Sequence, residues 1–221
     1  MRQISKGAEP AKLRQYRLTS DNPSYPGLAD IPGAMQELRK SLVQEQRGLC
    51  CYCMRRINDG PLVMKVEHWQ SQAKHEREQI RYANLLGACL GGQDQLGSEK
   101  HCDTSKKDRD LRFSPANPDH QIEKRVRYEL DGKIRSDDPE FDAQLDEVLN
   151  LNLRVHRNSR KAMLDAVQEW WKREKARLQN RVPKEQIQRK RDEYAGGTGC
   201  LRPYCQVAIW LLDQRLSRLN P

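Results

Sequence analysis

The sequence predicts an α+β fold, with a mixed α/β unit at roughly 40–115 and a mainly helical remainder. Three observations predict it. A β-branched run at 62–69, LVMKVEHW, follows a segment whose apolar residues recur at helical spacing. Cysteines bracket that run, Cys50 and Cys53 before it and Cys89 and Cys102 after it. From about residue 140 onward the pattern is helical.

Taken in order, residues 1–33 carry the turn signals Asn22-Pro23, Tyr25-Pro26-Gly27 and Ile31-Pro32-Gly33. They are expected to form an arm with little regular structure, open to partner contact. In 34–47, AMQELRKSLVQEQR, the spacing of Met35, Leu38, Leu42 and Val43 predicts a helix that stops at Gly48. The run 62–69 reads as a strand. YANLLGAC (82–89) is short and reads as a loop or a turn entering a helix. Three glycines mark 90–100 as a loop. HCDTSKKDRDL then opens a helix, with Asp103 or Thr104 as its N-cap. VRYELDGKI (126–134) predicts a strand, an Asp-Gly turn and a strand. Leu164, Val167, Trp171 and Leu178 line one helical face, which Trp170 broadens; Pro183 breaks that helix. Gly196-Gly197-Thr198-Gly199 is a flexible break before a final amphipathic helix. The expected organisation is 1–33, an arm; 34–115, the cysteine-bracketed unit; and 116–221, mainly helical.

Composition narrows the classes. Apolar residues are 36% and charged residues 32% of the 221, so the expectation is a soluble, rather polar protein. No apolar run approaches the roughly 20 residues needed to span a bilayer. The basic start, MRQISKGAEPAKLRQYR, has no apolar h-region after it, so no secretory signal is expected and the chain is placed in the cytoplasm. Seven cysteines in that compartment, an odd number, do not suit a disulfide framework. Metal ligation or buried free thiols remain.

The net charge of +9 suits a polyanion partner. Its distribution is uneven: 154–191 holds 13 Lys/Arg and 4 Asp/Glu, while 137–148 holds six acidic residues and no basic ones. These stretches offer separate partner surfaces, or two solvated helix faces. No Walker A pattern is present, so any ATPase step must come from a partner.

Cys50 and Cys53 form a Cys-x-x-Cys knuckle, able to place two thiolates on one zinc ion. Cys89 and Cys102 supply a second pair, although twelve residues lie between them. His101 is an alternative ligand, and Cys51 is expected to point elsewhere. Between the two pairs stand Glu67-His68 at the end of the strand-like run, Asn84 in YANLL, and Asp103 and Lys106 in HCDTSKK.

This order resembles the HNH endonuclease family, whose active site is a ββα-metal fold: a two-stranded hairpin, a loop and a helix around one divalent cation. The resemblance implies that Glu67 and Asp103 hold a catalytic Mg²⁺ (or Mn²⁺) and that Asn84 braces the loop orienting His68. It further implies a structural Zn²⁺ on the bracketing cysteines Cys50, Cys53, Cys89 and Cys102. His68 is the candidate general base, because an imidazole with a pKa of ~6.5 can take a proton from water at neutral pH. Lys106 is placed to touch a phosphate or cap the site. The family usually has Asn or His where this chain has Asp103, and His101 is a rival for that position.

The likeness narrows further. The segments CYC, EHWQSQ, YANLLGAC, HCDTSK and VLNLNLRVHRNSRK, with the start MRQISKGAEP, resemble the PtuB-like HNH proteins of Septu-type bacterial anti-phage systems, including retron-associated versions. The resemblance runs from about residue 1 to 215. It implies an effector that cleaves nucleic acid, DNA foremost, in a complex with a PtuA-like ABC-type ATPase. In retron versions a reverse transcriptase and its RNA–DNA hybrid join it. Two alternatives stand beside this: a ribonuclease of the same fold, cutting tRNA for example, and a non-catalytic, zinc-stabilised nucleic-acid-binding adaptor.

Overall fold

The structure, a computed structural model, describes residues 1–179 and 181–219. It is α+β with two small antiparallel sheets. The expected first helix is α3, Ala34–Glu45; Leu38 and Leu42 are fully buried, and Met35 and Val43 pack beside them. Gly48 ends the segment at φ +73°, the left-handed region that glycine enters without cost.

The run at 62–69 yields β1, Met64–His68. It pairs antiparallel with β2, Leu85–Cys89, which sets Met64 opposite Cys89 and His68 opposite Leu85. Residues 82–89 are therefore a short 3₁₀ turn and a strand, not a loop entering a helix. Every residue of β2 is buried, so the alternation that marks a half-exposed strand is absent from its sequence. Gly87 lets the chain come close here. A Cβ on it would sit 3.0 Å from Ile57 Cδ1, and the Gln46 amide brackets its backbone, accepting from its N–H at 2.6 Å and donating to its carbonyl at 2.8 Å.

After β2 the glycine-bearing turn leads to α4, Cys102–Lys106. Neither Asp103 nor Thr104 caps it. His101 occupies the cap position without a side-chain bond, and the Thr104 hydroxyl donates instead to the Leu90 carbonyl at 2.8 Å.

The N-terminal arm departs most from expectation. It forms α1, Ala11–Thr19, and α2, Tyr25–Ala29, and buries Met1, Ile4, Leu13 and Leu28 in the core. The turn-like Ser-Tyr-Pro-Gly is a helix start: Ser24 Oγ accepts from the Gly27 N–H at 3.2 Å, and Pro26 sits in the first turn, where its missing N–H costs nothing. The Ile4 N–H donates to the Pro115 carbonyl at 2.8 Å, which ties the arm to the junction before the helical region.

That region opens with α5, Ile122–Arg125, and the expected hairpin of β3, Arg127–Tyr128, and β4, Ile134–Arg135. Gly132 in its turn has φ +85°, and a Cβ there would lie 2.1 Å from the Arg157 carbonyl oxygen. Then come α6, Pro139–Ala143, a π-helical stretch Gln144–Val148, α7, Arg154–Arg177, α8, Lys184–Ala195, and α9, Cys205–Ser217. Leu164 and Val167 of α7 are fully buried and Trp171 half-buried, as the spacing predicts. Helix α7 ends before Pro183, which serves as the N-cap position of α8. The first half of α9 is buried on all sides, Cys205 through Ile209, and packs against α7 and α8.

The glycine break at 196–199 is latched down. Arg47 donates to the carbonyls of Ala195 (3.2 Å), Gly196 (2.9 Å), Gly197 (2.6 Å) and Gly199 (3.1 Å). The Leu201 N–H returns a bond to the Arg47 carbonyl at 3.0 Å, and Arg56 donates to the Leu201 carbonyl. One contiguous core runs from Met1 to Leu212. Among the described residues no helix is long and apolar enough to cross a membrane.

Candidate metal centre and carboxylate pair

The four predicted cysteines converge. The sulfurs of Cys50, Cys53, Cys89 and Cys102 all lie within 4.8 Å of one another and are buried. Cys50 and Cys102 stand 3.9 Å apart, Cys53 and Cys89 3.7 Å. A tetrahedral zinc with Zn–S bonds of ~2.3 Å requires sulfur–sulfur edges of about 3.8 Å. The cage therefore fits a metal ion such as zinc, and its sulfurs are too far apart for disulfides. The knuckle is a tight turn, with the Cys50 N–H bonded to the Arg55 carbonyl at 2.9 Å, the Met54 N–H to the Cys50 carbonyl at 3.1 Å, and Met54 at φ +65°. The Cys51 N–H hangs the turn on β2 through the Gly87 carbonyl at 3.0 Å. Cys89 closes β2, and Cys102, at φ +55°, opens α4.

The four crowded thiols do not share one tendency to ionise. Burial pushes the Cys53 and Cys102 thiols well above the usual value. Hydrogen bonding with Cys102 brings Cys89 down to about 7. For Cys50 burial opposes ionisation, but bonds from Cys102 and Cys51 pull it well below the ordinary range. Four buried sulfurs cannot all ionise without a positive charge among them. Cys51 lies outside the cage, as expected, near Glu67.

His101 is not one of the four. It sits beside the cage: burial lowers its pKa, but the neighbouring Cys89 sulfur and the Glu99 carbonyl raise it overall. Its ring meets that of His156 edge-on at 4.4 Å. His156, fully buried on α7, accepts from or donates to the Tyr204 hydroxyl at 3.2 Å, and burial drops its pKa to about 3. A histidine buried neutral stabilises the fold above its unfolded pKa of ~6.5, and that contribution is lost as pH falls toward the folded value. Thermal midpoints measured between pH 7 and 4 are accordingly expected to fall less steeply for His156→Gln than for the unmodified protein.

On the other side of the hairpin, Lys65 and Glu67 face α4. The Glu67 carboxylate accepts from the Tyr52 hydroxyl at 2.6 Å and pairs with the Lys106 ammonium at 2.9 Å, both through Oε1. Asp103 lies beside it, 3.9 Å from Lys65 Nζ. Burial, reinforced by the Asp103 carboxylate, holds the Glu67 pKa well above the usual range, against the pull of Lys106 and Tyr52. Asp103 and not His101 is thus the residue next to Glu67. Lys106, expected to meet a phosphate or cap the site, is fully buried, and its ammonium also donates to the His68 carbonyl at 2.9 Å.

His68 turns toward the loop between the strands. Its Nε2 is 2.8 Å from the Gln79 carbonyl oxygen, which makes Nε2 the protonated nitrogen and leaves the lone pair on Nδ1, 3.3 Å from the Gln72 amide. Burial lowers its pKa, so the ring is neutral at pH 7. Asn84 braces this loop. Its side chain accepts from the Gln70 N–H at 2.7 Å and donates to the carbonyls of Gln70 (2.9 Å) and Glu78 (3.0 Å), next to Gln79. Among the described residues, the cysteine cage is the one close group of three or more metal-capable side chains; the Glu67–Asp103 pair gains no third such ligand.

Sequence reasoning missed three contributors. Tyr52 lies inside the knuckle, a position that could have drawn notice. Gln79 acts through its backbone and left no signal. Tyr25, from the arm, packs edge-on to His68 at 4.5 Å while its N–H donates to Gln79 Oε1 at 3.0 Å. No protein-family model matches the chain, and no curated protein matches it.

Proposed function

We propose that this chain is a metal-dependent HNH endonuclease that hydrolyses phosphodiester bonds in nucleic acid, DNA foremost. In this reading it is the effector of an anti-phage complex with a PtuA-like ABC-type ATPase. The observation that carries the nuclease reading is the meeting of Glu67 and Asp103, far apart in the chain, within one strand–strand–helix unit that also carries a neutral His68. The defence context rests on the sequence resemblance alone.

The chemistry follows from these side chains. Two carboxylates forced together resist joint ionisation, and a divalent cation relieves that. Glu67 and Asp103 would hold it, and it would supply Lewis-acid help to the phosphate and the leaving oxygen. His68, with Nε2–H fixed on the Gln79 carbonyl, has its one lone pair on Nδ1, where the Gln72 amide donates at 3.3 Å; once that amide turns aside, Nδ1 takes the proton of a water. Asn84 keeps Gln79 in place through its neighbour Glu78. A cleft of about 680 Å³ beside α4, lined in part by Lys74, Lys100, Lys107 and Arg109, suits a phosphate backbone.

One observation favours a second reading, a zinc-stabilised nucleic-acid adaptor without catalysis: the Lys106 ammonium already neutralises Glu67. Incubation with plasmid DNA and with total tRNA, with Mg²⁺ and with or without the ATPase, separates the readings. The expected result is Mg²⁺-dependent DNA cleavage that His68→Ala lowers by roughly 10²–10⁴ through loss of the general base, with an unchanged circular dichroism spectrum. Products from tRNA alone indicate the ribonuclease. Salt-sensitive binding with no products from either substrate indicates the adaptor.

A further inference from the structure

Tyr52 belongs to the cysteine knuckle by sequence and to the carboxylate pair by contact. Its side chain is buried between Cys51 and Cys53. Its hydroxyl reaches out of the knuckle and donates to Glu67 Oε1 at 2.6 Å, the same oxygen that meets Lys106 Nζ at 2.9 Å. Two donors on one oxygen fix the rotation of the carboxylate, with Asp103 beside it. The phenol in turn is held by the backbone of the knuckle, which is bonded to Arg55 on one side and to β2 through Cys51 and Gly87 on the other.

We infer that Tyr52 is a positioning residue for the cation-binding carboxylates, through which the cysteine cage sets the orientation of Glu67. This rests on the proposed reading of Glu67 and Asp103 as holders of a divalent cation. Residues that orient a metal ligand from behind typically change metal affinity or activity 10- to 100-fold when altered.

The test uses full-length, zinc-loaded protein as four samples, unmodified, Tyr52→Phe, Tyr52→His and Glu67→Gln. Zinc per chain is measured by elemental analysis, and Mn²⁺ affinity by the free-ion electron paramagnetic resonance signal. Tyr52→Phe removes one oxygen atom and none of the ring. It is expected to keep its zinc while its Mn²⁺ dissociation constant rises roughly 10- to 100-fold, with Glu67→Gln abolishing the site. Tyr52→His, which keeps a donor, is expected to fall between. Unmodified affinity in Tyr52→Phe, with Glu67→Gln still abolishing binding, overturns the inference and leaves the nuclease reading standing. Loss of zinc from Tyr52→Phe overturns it as well, because the residue then serves the cage and not the carboxylate. Equal Mn²⁺ binding by the unmodified protein and Glu67→Gln overturns both.

Discussion

Cys102→Ser is expected to strip the protein of its metal and unfold the region around the cage. The Cys102 sulfur opens α4 and reaches across to Cys50 at 3.9 Å, while its N–H is bonded to the Leu149 carbonyl at 2.9 Å. It therefore joins the knuckle, α4 and the turn before α7 at one point. Structural zinc supplies on the order of 10–16 kcal/mol in small sites, as much as the roughly 5–15 kcal/mol total stability of an ordinary domain. Even a loss of about 5 kcal/mol lowers the melting temperature by roughly 10–20 °C in a chain of this size. Elemental analysis should give one zinc per chain before the substitution and none after, and a chelator should reproduce the effect on the unmodified protein. A Cys102→Ser protein with full zinc and an unchanged melting temperature would mean that the four sulfurs do not hold a metal.

Lys106→Met is expected to be the most destabilising single change outside the cage. The Lys106 ammonium and the Glu67 carboxylate are both buried and 2.9 Å apart. Removing one partner of a buried ion pair costs about 3–5 kcal/mol, because the other charge is left in a medium that cannot solvate it. The defect depends on pH in a definite direction. The folded-state pKa of Glu67 already lies above its ordinary 4.5, and loss of Lys106 raises it further. A raised carboxyl pKa favours the fold below the unfolded value and withdraws that support as pH rises through the folded value. Urea unfolding should therefore show the largest gap between variant and unmodified protein at neutral pH and a smaller one near pH 4.5. The double variant Lys106→Met/Glu67→Gln should recover most of the loss, since the buried charge is gone. A gap independent of pH would show that packing, and not the pair, sets the cost.

The elements that could be read from the sequence are those whose signal is local. Helix α3 and its stop at Gly48, strand β1, the Asp-Gly hairpin and the buried stripe of α7 all follow from periodicity or from a single glycine. The cysteine cage was legible because thiolates at such spacings have few other uses in a chain without disulfides. Strand β2 was not, because a strand buried on both faces loses its alternation. The arm was misread because Ser24 and Pro26 start a helix with the residues that elsewhere make a turn. In the site, the structure brings Glu67 and Asp103 together and sets Asn84 against the loop beside His68. The burial of Lys106 against Glu67 could not be read, since nothing in its neighbours marks a lysine as internal.

The latch between Arg47 and the carbonyls of residues 195–199 has a consequence for biosynthesis. Its two halves lie about 150 positions apart, which at ribosomal speeds of about 5–20 residues per second separates them by roughly 8–30 s. Throughout that interval the nascent polypeptide carries its first cysteine pair without the clasp that later holds it. A message truncated ahead of codon 195 would still encode every residue of the motif, yet its product would leave the Arg47 guanidinium without the carbonyls that receive it.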